Sequence, residues 1–467
     1  MRLEKINVKD FKTKAFEIIL KESLSIQKGS DKPLTVIYDD DFLKLFNSLL
    51  NVVTEWNLPT IFIFIPKDYQ AMIMSNKTFF DDNNEINLPP QIAGAVENSK
   101  LILNFLSGDS RYSKIRGAII SLRKQYDAKM VHSPGISEEV LKILNKSPFK
   151  KIHKECELLA WALGNSNKCK ITSTDKSGNE YTLSFQMDGW ENEPFISSGR
   201  ILENSWGNVP PGESFCCPDI NSVQGQICIN GSVPGYLLTP NEEVILDFKY
   251  GKLTQWSSKG EKVHKYFSQL TEDANKRGDL NWNSFAEFGI GLNPAIKKLV
   301  GNPLFDEKMA GTIHVAIGDN TSFGHGVKSF YHDDLVCIKP TVELDDHIVI
   351  KKGILNIQEM NKWKSSTLYE ILKFNDNDLL THYPKKMSFE ENMMFRILLK
   401  GDRKGKVAIN RGEFKILQTR FQEMFHEGNV RYLELKKKFK KKEINSLNKM
   451  LSLFNHYKII NVKHNEK

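Results

Sequence analysis

Long apolar runs are missing from this 467-residue chain. No window reaches the roughly 18 uninterrupted apolar residues of a membrane helix, which excludes helical membrane spans. Cysteine is scarce, with six in all, and no two form a Cys-x-x-Cys pair; a disulfide scaffold and a cysteine zinc knuckle are both excluded. Cys216 and Cys217 are adjacent, and since neighbours rarely bridge each other their expected role is structural. No Gly-x-Gly-x-x-Gly and no phosphate loop follows a strand-like segment, so no nucleotide site is assigned. Internal repeats and long low-complexity tracts are absent. His426-Glu427 opens like a zincin motif, but the following residues supply no second histidine. The opening residues, Met1 to Lys5, lead into a mixed-charge amphipathic stretch rather than a secretory signal. A reduced, cytoplasmic protein is expected.

What is present is ordinary globular composition, 40% apolar and 26% charged, enough for several buried cores. At roughly 150 residues per domain the length allows about three domains. The net charge of +8 is unevenly spread. Residues 351–467 carry 26 Lys and Arg against 13 Asp and Glu, a net of +13, and the first 350 carry 39 against 44, a net of −5. A mildly acidic body with a strongly basic tail suggests two separate tasks.

The pattern along the chain divides it into 1–160, 161–353 and 354–467. In the first part an amphipathic helix is predicted over 8–26. Short apolar strands follow at Leu34–Tyr38, Thr60–Ile65, Lys100–Leu106 and Ala128–His132, alternating with helical stretches at Phe42–Val53, 110–125 and 137–146. Apolar strands alternating with helices predict a parallel α/β layer. From about residue 165 the texture is β-rich α+β. It includes a hairpin turning at Gly178 between Cys169–Thr174 and Tyr181–Phe185, further strands at Gln226–Gly231 and Glu243–Phe248, and one helix at 260–277. After Gly353 the chain becomes lysine-rich and helical, with apolar periodicity over 412–427 and 431–456, a turn at Gly428-Asn429 and a closing strand at Ile459–Val462. That order matches a winged-helix module.

Chemistry concentrates in four segments of the middle region. Asn208–Phe215 is a turn-rich loop presenting Glu213, and Phe285–Pro294 sets Glu287 among apolar and glycine residues, where an unpaired charge would be costly. Leu304–Gly318 carries Glu307 and an apolar, strand-like run containing His314. Tyr331–Val336 carries His332 and Asp334, two apart and therefore on one face of a strand. Imidazole with carboxylate suits Zn²⁺, Mn²⁺, Co²⁺ or Fe²⁺. Four acids and two histidines are enough for two ions, with one carboxylate bridging. Each residue also has a plainer reading: Glu213 as a turn residue or cap, Glu307 as a cap or a partner of Lys308, and a lone strand histidine as a satisfied core residue.

Together the segments Asn208–Pro218, Phe285–Pro294, Asp306–Gly318 and His332–Val336 resemble those of the aminopeptidase T/aminopeptidase S metallopeptidases, in the same order. The resemblance covers about residues 30–350. It implies a centre of two divalent ions (Zn, Co or Mn) held by Glu213, Glu287, Glu307, His314, His332 and Asp334. Glu287 would bridge the ions and position the nucleophilic water. One departure stands out. The family places a catalytic tyrosine shortly after the third-segment histidine, and Asp319–Gly326 contains none; Thr321, His325 and Tyr331 are the nearest substitutes. The interval from Glu307 to His314 is also slightly long for the family.

Three functions follow as expectations. The first is a metal-dependent hydrolase of peptide or amide bonds, resembling a leucyl-type aminopeptidase. The second is a mononuclear Fe(II) ring-cleaving oxygenase, because a dihydroxypyridine dioxygenase family is similar to this scaffold; His314, His332 and Asp334 would hold the iron. The third is a metal-stabilised binding or regulatory protein. The basic tail is expected either to dock on the body or to meet a polyanion or acidic peptide. No membrane partner is expected, and the chain is compatible with a homodimer.

Overall fold

The structure, a computed structural model, describes residues 10–366 apart from 82–85, 109, 127, 188–193, 203–204 and 322–325, together with 374, 376, 379–381, 429–437, 444, 447–448, 451–452 and 461–463. Two compact units emerge: Met1–Met187 with Pro194–Ile357, and Asp188–Glu193 with Gln358–Lys467.

The first unit begins with a parallel sheet. Numbered along the chain, its strands are β1 (Leu34–Tyr38), β2 (Thr60–Phe64), β3 (Leu101–Phe105), β4 (Lys129–His132) and β8 (Trp206–Asn208), in the order β2-β1-β3-β4-β8. All four pairings are parallel. Strands β1, β3 and β4 are buried throughout, as expected where helices cover both faces of a sheet. Val36, Leu103 and Val131 face a core built with α1 (Phe11–Ile18), α2 (Leu43–Glu55) and α6 (Glu138–Lys146). Ile37, Ile102 and Met130 face the opposite core, built with α3 (Lys67–Ser75), α4 (Pro90–Glu97) and α5 (Ser113–Gln125). The first helix is shorter than its periodicity predicts. Asp10 caps it by accepting from Lys12 N at 2.6 Å, and the chain continues through a π-helical turn at Ile19–Ser23. Strand β8 comes from the middle region, which the sequence pattern did not foresee; it lies beside β4 and leads directly into the first site segment.

Two antiparallel sheets follow. One has eight strands in the order β14-β13-β10-β6-β5-β18-β19-β20: β5 (Lys168–Thr174), β6 (Glu180–Gln186), β10 (Gln224–Ile229), β13 (Glu243–Lys249), β14 (Lys252–Lys259), β18 (Thr341–Leu344), β19 (His347–Lys351) and β20 (Ile354–Leu355). The β5–β6 hairpin forms as predicted, with Gly178 at φ 88°. The other has seven in the order β12-β11-β17-β16-β15-β9-β7: β7 (Phe195–Ser197), β9 (Glu213–Cys216), β11 (Ser232–Val233), β12 (Tyr236–Leu237), β15 (Phe285–Gly291), β16 (Thr312–Gly318) and β17 (His332–Ile338). They pack through Phe185 against Phe285 and Phe288, and Phe248 against Phe285. Helix α7 (Phe149–Gly164) joins the parallel layer to these sheets, and α8 is the predicted helix, Glu261–Arg277. All six cysteines are buried and free.

In the second unit, strands Leu379–Thr381, Asn429–Arg431 and Asn461–Lys463 pair antiparallel, and a helix runs from Tyr432 to Lys437. The tail is therefore not purely helical: Asn429, expected in a turn, starts a strand that pairs with residues 50 positions earlier in the chain. The predicted helix over 412–427, on which the winged-helix reading rests, lies outside the described residues. Among the described residues no helix is long and apolar enough to cross a membrane.

Asp39, fully buried at the end of β1, ties the parallel layer together. Its carboxylate accepts from Ser107 N at 2.7 Å, from Gln70 Nε2 at 3.1 Å and from Asp41 N at 3.1 Å. Removing it takes away the carboxylate that the buried Ser107 N–H donates to. Asp39→Ala is expected to lower stability by about 1–3 kcal/mol, read as a lower urea midpoint at unchanged slope.

Candidate metal centre

The alternation of side chains along three strands assembles the site. Directly opposed residues of antiparallel strands share a face. Ala316 opposes Asp334 on one side and Glu287 on the other; Gly318 opposes His332. Gly289 lies between His314 and Phe215, and Gly291 opposes Glu213. One face of the sheet thus collects His332, Asp334, Glu287, His314 and Glu213. The intervening positions on β15 and β16 are Gly289, Gly291, Ala316 and Gly318. The other face carries Phe288, Ile290, Ile313, Val315 and Ile317, all fully buried. A register shift between Phe285 and Glu287 marks a bulge. By inserting one residue it lets Phe285 and Phe288 both face the aromatic core while Glu287 turns to the site.

Small residues are required here, not merely tolerated. A Cβ on Gly289 would lie 2.1 Å from His314 Cε1 and 2.2 Å from its Nε2. On Gly291 it would lie 2.2 Å from Met309 O. Behind the strands, the fully buried Asn293 fastens three of the four segments together. Its Nδ2 donates to Pro211 O at 2.7 Å and to Ser147 Oγ at 3.0 Å, its N–H donates to Lys308 O at 2.8 Å, and its carbonyl accepts from Ala310 N at 3.1 Å.

All six sequence-predicted residues meet in one ring of contacts. Glu287 Oε1 lies 3.1 Å from His314 Nε2, and its Oε2 lies 3.4 Å from His332 Nε2. His332 Nε2 is 3.6 Å from Asp334 Oδ1. Asp334 is hydrogen-bonded to Glu307. Glu307 and Glu213 both accept from Lys308 Nζ, Glu213 Oε1 at 2.8 Å. His314 Nε2 closes the ring 4.0 Å from Glu213 Oε2. Glu307 therefore does pair with Lys308, as its plainer reading held, and reaches the site as well. Asp306 stays out: its carboxylate accepts from Val300 N and Gly301 N, both at 2.8 Å, and shapes the preceding loop.

Lys308 was not singled out from sequence, although its adjacency to Glu307 was visible. The backbone carbonyl of Asp319 was also missed. It accepts from His332 Nδ1 at 2.6 Å, which fixes the ring and turns its Nε2 toward Glu287 and Asp334. None of the described substitutes for the family tyrosine enters the site. Thr321 Oγ1 donates to Asp319 Oδ1 at 2.7 Å within a turn. The charged groups around the Tyr331 hydroxyl are Arg277, Asp273, Asp279 and Asp333, on the side where Tyr266 donates to Asp333 at 2.6 Å. His325 lies outside the described residues.

The electrostatics are those of crowded acids short of cations. Burial would raise the Glu287 carboxyl, but hydrogen bonds from His314 and His332 hold it below its ordinary value. Burial likewise opposes ionisation of Asp334, yet the hydrogen bond from His332 pulls it down to about 2. Glu307 is pushed well up by burial and by the charge of Glu213. Burial would lower both histidines. The Glu287 hydrogen bond instead raises His314 to about 9, and Asp334 and Glu287 raise His332 well above its usual value.

The donor set fits a divalent cation. Ligand atoms of Glu287, His332 and Asp334 all lie within 4.8 Å of one another. His314 turns its Nε2 to Glu287 and Glu213, while its Nδ1 is buried without a hydrogen-bond partner. One imidazole with two carboxylates is the mixed set favoured by zinc, manganese, cobalt or iron.

Residues 147–334 match the family described as thermophilic metalloprotease, in agreement with the resemblance carried by the four segments. Comparison with curated proteins gives no match. Two solved structures are similar in fold. The 2,5-dihydroxypyridine dioxygenase of Pseudomonas putida has a TM-score of 0.58 at 15% identity, covering 75% of this chain and 98% of that one. Wild-type AmpT of Thermus thermophilus has a TM-score of 0.52 at 14% identity, covering 74% and 99%. The family match supports a metal-dependent peptidase in general terms.

Two expectations follow from the geometry. Gly289→Ala drives a methyl group into the His314 ring, and divalent-metal affinity should fall roughly 10–100-fold, measured by competition with a chromogenic chelator. The metal-free protein should also lose stability on the alkaline side. Raised histidine pKa values contribute stability that is fully present below 6.5 and lost as pH rises through about 9. Urea unfolding of chelated protein at pH 6.5 and 9.5 checks this, with the lower midpoint expected at 9.5.

Proposed function

We propose that the protein is a metal-dependent hydrolase of peptide or amide bonds, acting at a free N-terminus in the manner of a leucyl-type aminopeptidase. The observation that carries this reading is the convergence of Glu287, His332 and Asp334 beside Glu213, Glu307 and His314. A divalent ion held there supplies a Lewis acid for the amide carbonyl and acidifies water. Glu287, with one oxygen toward each histidine, is placed to orient the attacking water and take its proton. His332 is held for ligation by the Asp319 carbonyl. Glu307, whose carboxyl is pushed well up by burial and by the charge of Glu213, stands beside Asp334 and would serve as a proton donor for the leaving amine.

Preference for an apolar side chain finds support one strand out from Gly289. Phe215 opposes Gly289, and Phe195 opposes Phe215, all on the metal face. Their rings stack with centroids 4.9 Å apart and 12° between planes. Both are half-buried, an apolar platform within a side chain's reach of the centre. The tail of net charge +13 over 351–467 is proposed to serve partner or substrate recognition, by attraction to an acidic peptide or a polyanion.

Metal-loaded protein should release N-terminal amino acids from short free-amine peptides, and chelation or His332→Ala should abolish this together with metal binding. Phe215→Ala should lower kcat/KM for leucyl and phenylalanyl peptides about tenfold or more, the order expected for a lost apolar side-chain contact, while sparing alanyl peptides. Intact peptides throughout, with oxygen uptake on a hydroxylated aromatic substrate, would transfer the assignment to an iron-dependent oxygenase.

A further inference from the structure

The cluster contains a cation of its own. The Lys308 side chain is 0% exposed, and its Nζ bonds to Glu213 Oε1 at 2.8 Å and to Glu307 Oε1. In the ring Glu307 stands next to Asp334, and Glu213 stands on the far side of the lysine, next to His314. In a two-ion centre built from these six residues the two carboxylates would be first-line ligands of the second ion. A carboxylate oxygen binds such an ion at about 2.0–2.2 Å, which leaves no space for an ammonium between the same oxygens. The two cations would also repel across a buried gap.

The lysine is held in position. Its N–H donates to Phe305 O at 3.0 Å, and its carbonyl accepts from Asn293 N at 2.8 Å. Asp306, immediately before Glu307, is pinned by the Val300 and Gly301 amides. Withdrawing the ammonium would leave the buried Glu213 and Glu307 facing each other without a cation between them.

Resting on the metal-dependent reading above, we infer that the centre takes one divalent ion per chain, at Glu287, His332 and Asp334, and that the Lys308 ammonium permanently replaces a second ion between Glu213 and Glu307. Lysine suits this task as a compact point charge with three donors. Glu213 and Glu307 then hold the lysine, and through it the loop 306–309, instead of ligating metal.

The experiment is a metal count on the full chain, purified without chelator or affinity tag and equilibrated with excess Co²⁺, Zn²⁺ or Mn²⁺. Native mass spectrometry and elemental analysis provide the readout. One equivalent at saturation is expected for the wild type. Lys308→Met, of similar length and without charge, should bind a second ion. Two equivalents in the wild type would overturn the inference and leave the metal-dependent reading standing; none would remove both. A folded Lys308→Met chain that still binds one ion would overturn the role given to the lysine. Should that chain fail to fold, the wild-type count decides alone.

Discussion

Four carboxylates confined to one buried patch cannot all stay charged without cations among them. Glu213, Glu287, Glu307 and Asp334 meet this constraint, and the arrangement around them answers it. Lys308 lies between Glu213 and Glu307, His332 between Glu287 and Asp334, and His314 between Glu287 and Glu213. Burial and the charge of Glu213 push Glu307 well up, and the neighbouring carboxylates raise both histidines against the opposing effect of burial.

The constraint reaches outward into the sheet. A crowded polar face is tolerable only if the opposite face of the same strands contributes a dense apolar core, and Phe288, Ile290, Val315 and Ile317 provide it. The strands can carry both because glycine and alanine occupy the floor beneath the imidazole and the carboxylates. Asn293 then converts three separate segments into one rigid frame, through hydrogen bonds that cannot be made to solvent at that depth.

Access is asymmetric. His332 is 30% exposed and Lys308 not at all. The Asp334 and Glu307 side chains, between them in the ring, are each 12% exposed. The stacked Phe195 and Phe215 sit on the outer strands of the same face.

Much of this was legible in the sequence, for reasons that can be stated. Apolar strands alternating with helices predicted the parallel layer because both faces of such strands must be buried. His332 and Asp334 were placed together because strand periodicity is local. The six candidate residues were named through the resemblance of their four segments to a metallopeptidase family, since the residue types alone left plainer readings open. Other features depend on contacts between residues far apart in the chain. Strand β8 joins a sheet whose other members end about 75 residues earlier, and the bulge at Glu287 exists because Phe285 must reach Phe185 and Phe248. From sequence Lys308 was only a candidate partner for its neighbour Glu307; the fold brings Glu213 to its other side. The sequence by itself determined which donors the centre contains. The tertiary structure decided which are already satisfied by an internal cation, since that depends on distances between strands that no local pattern encodes.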